Sequence, residues 1–217
     1  MHLETQVVDA CRRLARKQFL KSPGDSFSMR IPGHAEMVFV SGLTNWENIR
    51  SADIHTAPLF ATKRLDRLHA AVYRQREDAG AVTICSPAGA ALLAQSGGAL
   101  PTLFDEQARH IGPSLAQLAD QDQLEPALLK KSLKGGANAV LIGRRLLCLG
   151  MTVERALFNA ELYEKCARAY VIAKSAGRVQ RVPWWVRLIA NRRLFRNEKD
   201  AAAAYREGRI PQGLSAY

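Results

Sequence analysis

Segments of helical period alternate with short apolar strands along this chain, and that order restricts it to a sheet covered by helices. Val7, Val8, Cys11, Leu14, Ala15 and Phe19 recur at helical spacing over residues 4–20, with Arg12, Arg13, Arg16 and Lys17 on the opposite face. Pro23-Gly24-Asp25 breaks that helix. Phe27, Met29 and Ile31 alternate as in a strand, Pro32-Gly33-His34 is turn material, and Met37–Val40 is a return strand ended by Ser41-Gly42. Thr44 to Asp53 reads as a loop or short helix. Leu65, Leu68, Ala71 and Val72 predict a helix over 63–77, and Ala81–Cys85 a short strand. Pro87 opens a helix over 88–95, where its missing N–H is harmless, and Gly97-Gly98 stops it. A helix over 124–133 ends at Gly135-Gly136. Ala139–Ile142 and Leu146–Leu149 are apolar strands around Gly143-Arg144-Arg145. Thr152 is the N-cap of the longest helix, which runs to about Ala176. The expectation is an α/β domain with a mixed sheet.

Composition narrows the class further. At 217 residues the chain is long enough for one core without staples, and 47% hydrophobic residues exclude disorder for most of it. No run approaches the ~20 apolar residues of a membrane span. Met1–Gln6 carries no apolar signal-peptide region, so a cytoplasmic protein is expected. Cys11, Cys85, Cys148 and Cys166 are scattered without metal spacing and read as reduced thiols. The formal charge of +11 is uneven: residues 178–217 hold nine Lys/Arg and three Asp/Glu, a net of +6. The expected organisation is a domain over 1–177 and a basic extension over 178–217.

Five pieces of the sequence, taken in order, resemble the class II aldolase/adducin N-terminal domain family. They are Gly24-Asp25-Ser26-Phe27-Ser28-Met29-Arg30, Val38-Phe39-Val40-Ser41-Gly42-Leu43, Leu68-His69-Ala70-Ala71-Val72-Tyr73 with Asp78-Ala79-Gly80-Ala81-Val82, Asn138–Ile142, and Thr152–Gly177. The resemblance implies a three-layer α/β/α sandwich with a central, largely antiparallel mixed sheet. It also implies a homotetramer with sites at subunit interfaces. In the family's aldolases three histidines hold a zinc-type ion, which polarises a carbonyl and stabilises an enediolate, and a glutamate serves as acid/base.

Those groups are replaced here. By spacing from His69, Ile84 and Ser86 occupy two ligand positions, and Arg144, beside Arg145, occupies the third. Leu65 stands at the acid/base position, and Lys63-Arg64 stand where the family has phosphate-binding serines. Neither isoleucine nor serine is a useful zinc ligand, and a permanent arginine charge repels a cation. The five histidines, His2, His34, His55, His69 and His110, lie elsewhere, so shifting the alignment by one residue restores nothing. The expectation is a chain with no metal and no cofactor.

Lys63, Arg64, Arg144 and Arg145 read either as one cationic pocket for a phosphate or carboxylate, with Ser26, Ser41 and Gly42 at phosphate-binding positions, or as solvated surface and a hairpin turn. Cys85 reads as a small buried hydrophobe rather than a nucleophile, and His69 as a packing histidine. Asp105-Glu106-Gln107-Ala108-Arg109-His110 reads as an exposed helix, with acid/base service as the alternative. In the extension, Trp184, Trp185, Leu188 and Phe195 alternate with arginines as in an amphipathic helix. Packing on a neighbouring subunit, an anionic membrane surface and an acidic partner stay open for it, and it carries no DNA-reading motif. Two functions follow. One is a non-catalytic, oligomeric or anion-binding member of the family. The other is a metal-independent lyase or isomerase on a phosphorylated or carboxylated sugar-derived substrate.

Overall fold

The computed structural model describes residues 3–61, 64–97, 99–112, 114–119 and 126–212. Helix α1 (Leu3–Arg16) leads into β1 (Ser26–Arg30), β2 (Glu36–Ser41) and β3 (His55–Pro58), with a single 3₁₀ turn at Ser51–Asp53. Helix α2 (Arg64–Gln75), β4 (Ala81–Cys85) and α3 (Ala88–Ser96) follow. Then come β5 (Leu100–Pro101), α4 (Asp105–His110), β6 (Ser114–Leu115), β7 (Gln117–Leu118) and α5 (Pro126–Ser132). The hairpin β8 (Ala139–Ile142) and β9 (Arg145–Gly150) precedes α6 (Val153–Ser175) and α7 (Trp184–Arg206). Seven strands form one sheet in the order β3-β2-β1-β4-β9-β8-β7, antiparallel except for the β7–β8 pair, while β5 and β6 pair separately.

Strand alternation sorts side chains onto two faces. Phe27, Met29, Val38, Val40, Ala81, Cys85, Leu146 and Cys148 meet α1, α3 and α6 in the larger core. Met37, Phe39, Val82, Ile84, Val140, Leu147 and Leu149 meet α2 and α5 in the second. The expected three-layer α/β/α arrangement with a largely antiparallel sheet is therefore present.

Several boundaries differ from expectation for physical reasons. Helix α1 stops at Arg16 because Gln18 takes φ +61°, with Gln18 N–H bonded to Ala15 O and Phe19 N–H to Leu14 O. This paired closure of a helix end turns Phe19 and Leu20 into the core. Strands β3, β5, β6 and β7 have two to four residues, too short for a period to show. Helix α5 begins at Pro126, while the residues before it, including the expected start at Leu124, lie outside the described set, as does Gly98. Helix α4 is not an exposed helix. Its Gln107 is fully buried, donating to Pro101 O and accepting from Leu103 N–H, and α7 packs on it.

Helix α7, within the segment expected as an extension, packs on the body. Leu194 and Ala201 of α7 close over Met151, and the Tyr205 hydroxyl donates to Met151 O at 2.8 Å. Arg76 carries the docking: it donates to both carboxylate oxygens of Asp78, to Asn138 Oδ1, to Glu198 Oε1 of α7 and to the carbonyls of Leu133 and Ala137. Arg30 closes α2 by donating to the carbonyls of Tyr73, Arg76 and Ala79, with its guanidinium over the rings of Tyr73 and Tyr205. A cation at a helix C-terminus both satisfies orphan carbonyls and matches the dipole.

Candidate functional site

One end of the sheet gathers most of the positions singled out in the sequence. Ser26 at the start of β1 lies opposite Ser41 at the end of β2 and opposite Ile84 near the end of β4. Ile84 pairs with Leu147, Cys85 with Leu146, and Ile142 with Arg145 across the β8–β9 hairpin. That hairpin turns on Gly143, whose φ of +58° suits the first central position of a two-residue turn where glycine is required. Arg144 is thereby thrown outward and is exposed.

The side chains at this end are occupied with one another. Ile84 is buried among Val82, Leu147 and the α2 residues of the second core. The Ser86 hydroxyl donates to Asp25 Oδ1 at 2.7 Å, and its N–H donates to Phe19 O at 2.8 Å. Asp25, fully buried, accepts on Oδ2 from the N–H groups of Lys21 and Ser22, 2.8 Å each. It acts as the clamp of the Pro23-Gly24 turn. Ser26 is not available to an anion: it is fully buried, and its Oγ lies 2.8 Å from His69 Nε2. His69 Nδ1 lies 2.7 Å from Ser28 Oγ, which is 2.8 Å from the Tyr73 hydroxyl. This polar chain crosses from β1 to α2 wholly inside the protein. A neutral imidazole has one donor and one acceptor nitrogen, and rotatable hydroxyls on both sides can satisfy both. Burial pushes His69 down to about 3 and the Tyr73 phenol up.

Only two of the four cations have described side chains. Lys63 lies outside the described residues, and Arg64 and Leu65 enter only as the first backbone positions of α2. Arg145 donates to Gly24 O at 3.2 Å, tying the hairpin to the β1 turn. Arg144 lines a cleft of about 360 Å³ with Gly143, Ala94 and Gln95 of α3, and Gln117–Ala119. The side-chain oxygen of Gln117 is buried there without a hydrogen-bond partner among the described residues. Ser41 is half-buried, and Gly42 is exposed with φ +77°. Arg144 sits in the hairpin turn and Arg145 opens β9; Gly42 and Arg144 are exposed, Ser41 partly so.

The other candidates are structural. Cys85 is fully buried with its thiol pushed well up by desolvation, and all four cysteines are free. His110 contacts Arg155 and lies edge-on to Phe158 at 4.9 Å; burial, then the Arg155 charge, push it down to about 4. Sequence reasoning missed Asp25, Arg30 and Arg76. For Asp25 the signal was present, since an aspartate after Pro-Gly commonly accepts from nearby backbone N–H groups. Arg30 and Arg76 work through carbonyls and partners far along the chain, which no local pattern reveals.

The three positions do not offer a transition-metal donor set. Ile84 offers hydrocarbon, Ser86 already donates to a carboxylate, and Arg144 brings positive charge. Among the described residues no three His, Cys, Asp or Glu are grouped to hold a metal ion. These residues do not fit the zinc-type ion that the resemblance implies.

The fold and the end-of-sheet site define a sandwich of the aldolase type. The chain belongs to the class II aldolase and adducin N-terminal domain family, whose model matches residues 5–171. Among solved structures it is similar to an L-fuculose 1-phosphate aldolase from Glaciozyma antarctica PI12, with a TM-score of 0.74 and 15% identity, covering 94% of this chain and 88% of that one. An aldolase II superfamily protein from Pseudomonas syringae gives 0.71 and 16%, covering 94% and 92%. An L-fuculose-1-phosphate aldolase from Thermus thermophilus gives 0.67 and 19%, covering 83% and 98%. At such identities the likeness speaks for the fold alone. No curated protein sequence gives a significant match.

Proposed function

We propose that this chain is a non-catalytic, oligomeric member of its family that binds a small anionic, sugar-derived ligand without a metal. The observation that carries the reading is the identity of the three ligand positions, a buried Ile84, an Asp25-bound Ser86 and an outward Arg144. An enediolate left without a Lewis acid loses several kcal/mol of transition-state stabilisation, and Ile84, Ser86 and Arg144 supply no metal-binding replacement. Arg144, lining a cleft of about 360 Å³, supplies the cation for a phosphate or carboxylate; Ser41 and Gly42 lie at the same end of the sheet, three strands away, and do not line that cleft.

The test is metal analysis of purified protein, an assay of L-fuculose 1-phosphate cleavage with added zinc, and a thermal-shift series with sugar phosphates and sugar carboxylates. The expected result is no stoichiometric zinc, no cleavage, and stabilisation by at least one anion that Arg144→Ala removes. Stoichiometric zinc or zinc-dependent cleavage overturns the reading. Metal-free turnover of a sugar phosphate moves the assignment to a lyase or isomerase.

A further inference from the structure

Helix α7 has two sides of opposite character. Leu194, Ala201, Ala204 and Tyr205 are buried against the body. On its outward arc Trp184 is 69% exposed, Trp185 54%, Leu188 47%, Ile189 55% and Phe195 40%. Trp184, Leu188 and Phe195 recur at spacings of four and seven, and Trp185 and Ile189 at four, so they form one contiguous apolar surface along the helix. Isolated exposed apolar residues need no explanation, but two tryptophans grouped with leucine, isoleucine and phenylalanine do.

The charge carried by this stretch of the chain has one sign. Residues 178–196 contain Arg178, Arg181, Arg187, Arg192, Arg193 and Arg196 and no Asp or Glu. Among the described residues none of these six forms an ion pair. The acidic residues of α7, Glu198 and Asp200, fall in its second half, and Glu198 is spent on Arg76. Docking to the body has therefore left the amphipathic, arginine-only half of the helix turned outward.

We propose that the first half of α7 is a docking surface for an anionic phospholipid membrane. Tryptophan rings suit the headgroup boundary, with an apolar body and one N–H donor. Leucine and isoleucine beside them enter the acyl region, while arginines keep their guanidinium groups at the phosphates by extending their stems. A second copy of the chain fits less well, because a two-fold contact through this patch sets arginines against arginines. A nucleic acid answers the charge but has no use for Leu188 and Ile189. No helix among the described residues is long and apolar enough to cross a membrane, so attachment is lateral and reversible.

Vesicle flotation of the full-length protein tests this, with phosphatidylcholine alone and with phosphatidylcholine mixed with phosphatidylglycerol. Wild-type protein is expected to float only with the anionic vesicles, to be released by high salt, and to shift its tryptophan emission to the blue on binding. Trp184→Ala/Trp185→Ala and, separately, Arg192→Glu/Arg193→Glu are expected to weaken vesicle binding by roughly tenfold or more. All four side chains are exposed, and circular dichroism verifies that both variants keep the fold. Failure of wild-type protein to float with anionic vesicles overturns the proposal. Loss of binding in the arginine variant alone also overturns it, by marking a general polyanion surface. A lower oligomer mass for the tryptophan variant in light scattering overturns it too, in favour of a contact between copies. None of these outcomes depends on the ligand assigned to the sheet end.

Discussion

His69 has no contact with water and no acidic partner; its ring is held by two serine hydroxyls and lies edge-on to Phe39 at 5.1 Å. Its proton affinity is set by burial, which pulls the pKa from 6.5 to about 3. Between those values the unfolded chain binds a proton that the folded chain refuses, so stability is complete above pH 6.5 and falls as the pH drops toward 3. At about 1.4 kcal/mol per unit the full effect is on the order of 5 kcal/mol, and His110, depressed to about 4, acts in the same direction. Urea midpoints measured between pH 7 and pH 4 should fall accordingly, and His69→Gln should flatten the curve while lowering its plateau. Gln18 offers a change of opposite sign. It sits exposed at φ +61°, where a side chain is strained, and Gln18→Gly should raise stability by up to about 1 kcal/mol in chemical unfolding. Much of this scale was legible: the helical spacing of Leu68, His69 and Val72 marks a packing histidine. Ser26 and Ser28, two apart on one strand, then share the face that receives it. The strain at Gln18 was not, because nothing local announces a left-handed glutamine.

Beside the apolar contacts of Leu194, Ala201 and Tyr205, helix α7 is pinned past its middle by one buried arginine. Arg76 and Glu198 are both nearly buried, their side chains 10% and 11% exposed, and are joined at 2.7 Å. Asp78 and Asn138 share the same guanidinium. Arg76→Ala strands two carboxylates and two carbonyls and is expected to cost about 3–5 kcal/mol. It should also release α7 to trypsin before the rest of the chain unfolds. Arg206, paired with Glu77 in solvent, is the control: Arg206→Ala should change stability by no more than about 1 kcal/mol. At this scale the strands β1, β2, β4, β8 and β9 and the helix α6 were readable from alternation, glycine stops and the Thr152 cap, which accepts from Arg155 N–H at 3.2 Å. The amphipathic character of α7 was readable too. Its seat was not, since Arg76 and Glu198 are 122 residues apart and each looks like an ordinary surface charge.

The molecule as a whole keeps the family's architecture while the end of its sheet has been rewritten. Of the three positions, Ile84 lies on β4, Ser86 just past its end and Arg144 in the β8–β9 turn, so the change shows only residue by residue and leaves the sheet intact. The two open edges of the sheet have a further consequence. One edge is β3, four residues ending in Pro58, which has no N–H to offer; the other is β7, two residues long. Neither is a template on which another strand can grow. Among the described residues, contacts between copies are therefore favoured on helices and loops over strand edges. Crowding many of them together, in solution or on a lipid surface, carries little risk of the sheet-to-sheet growth that ends in fibres.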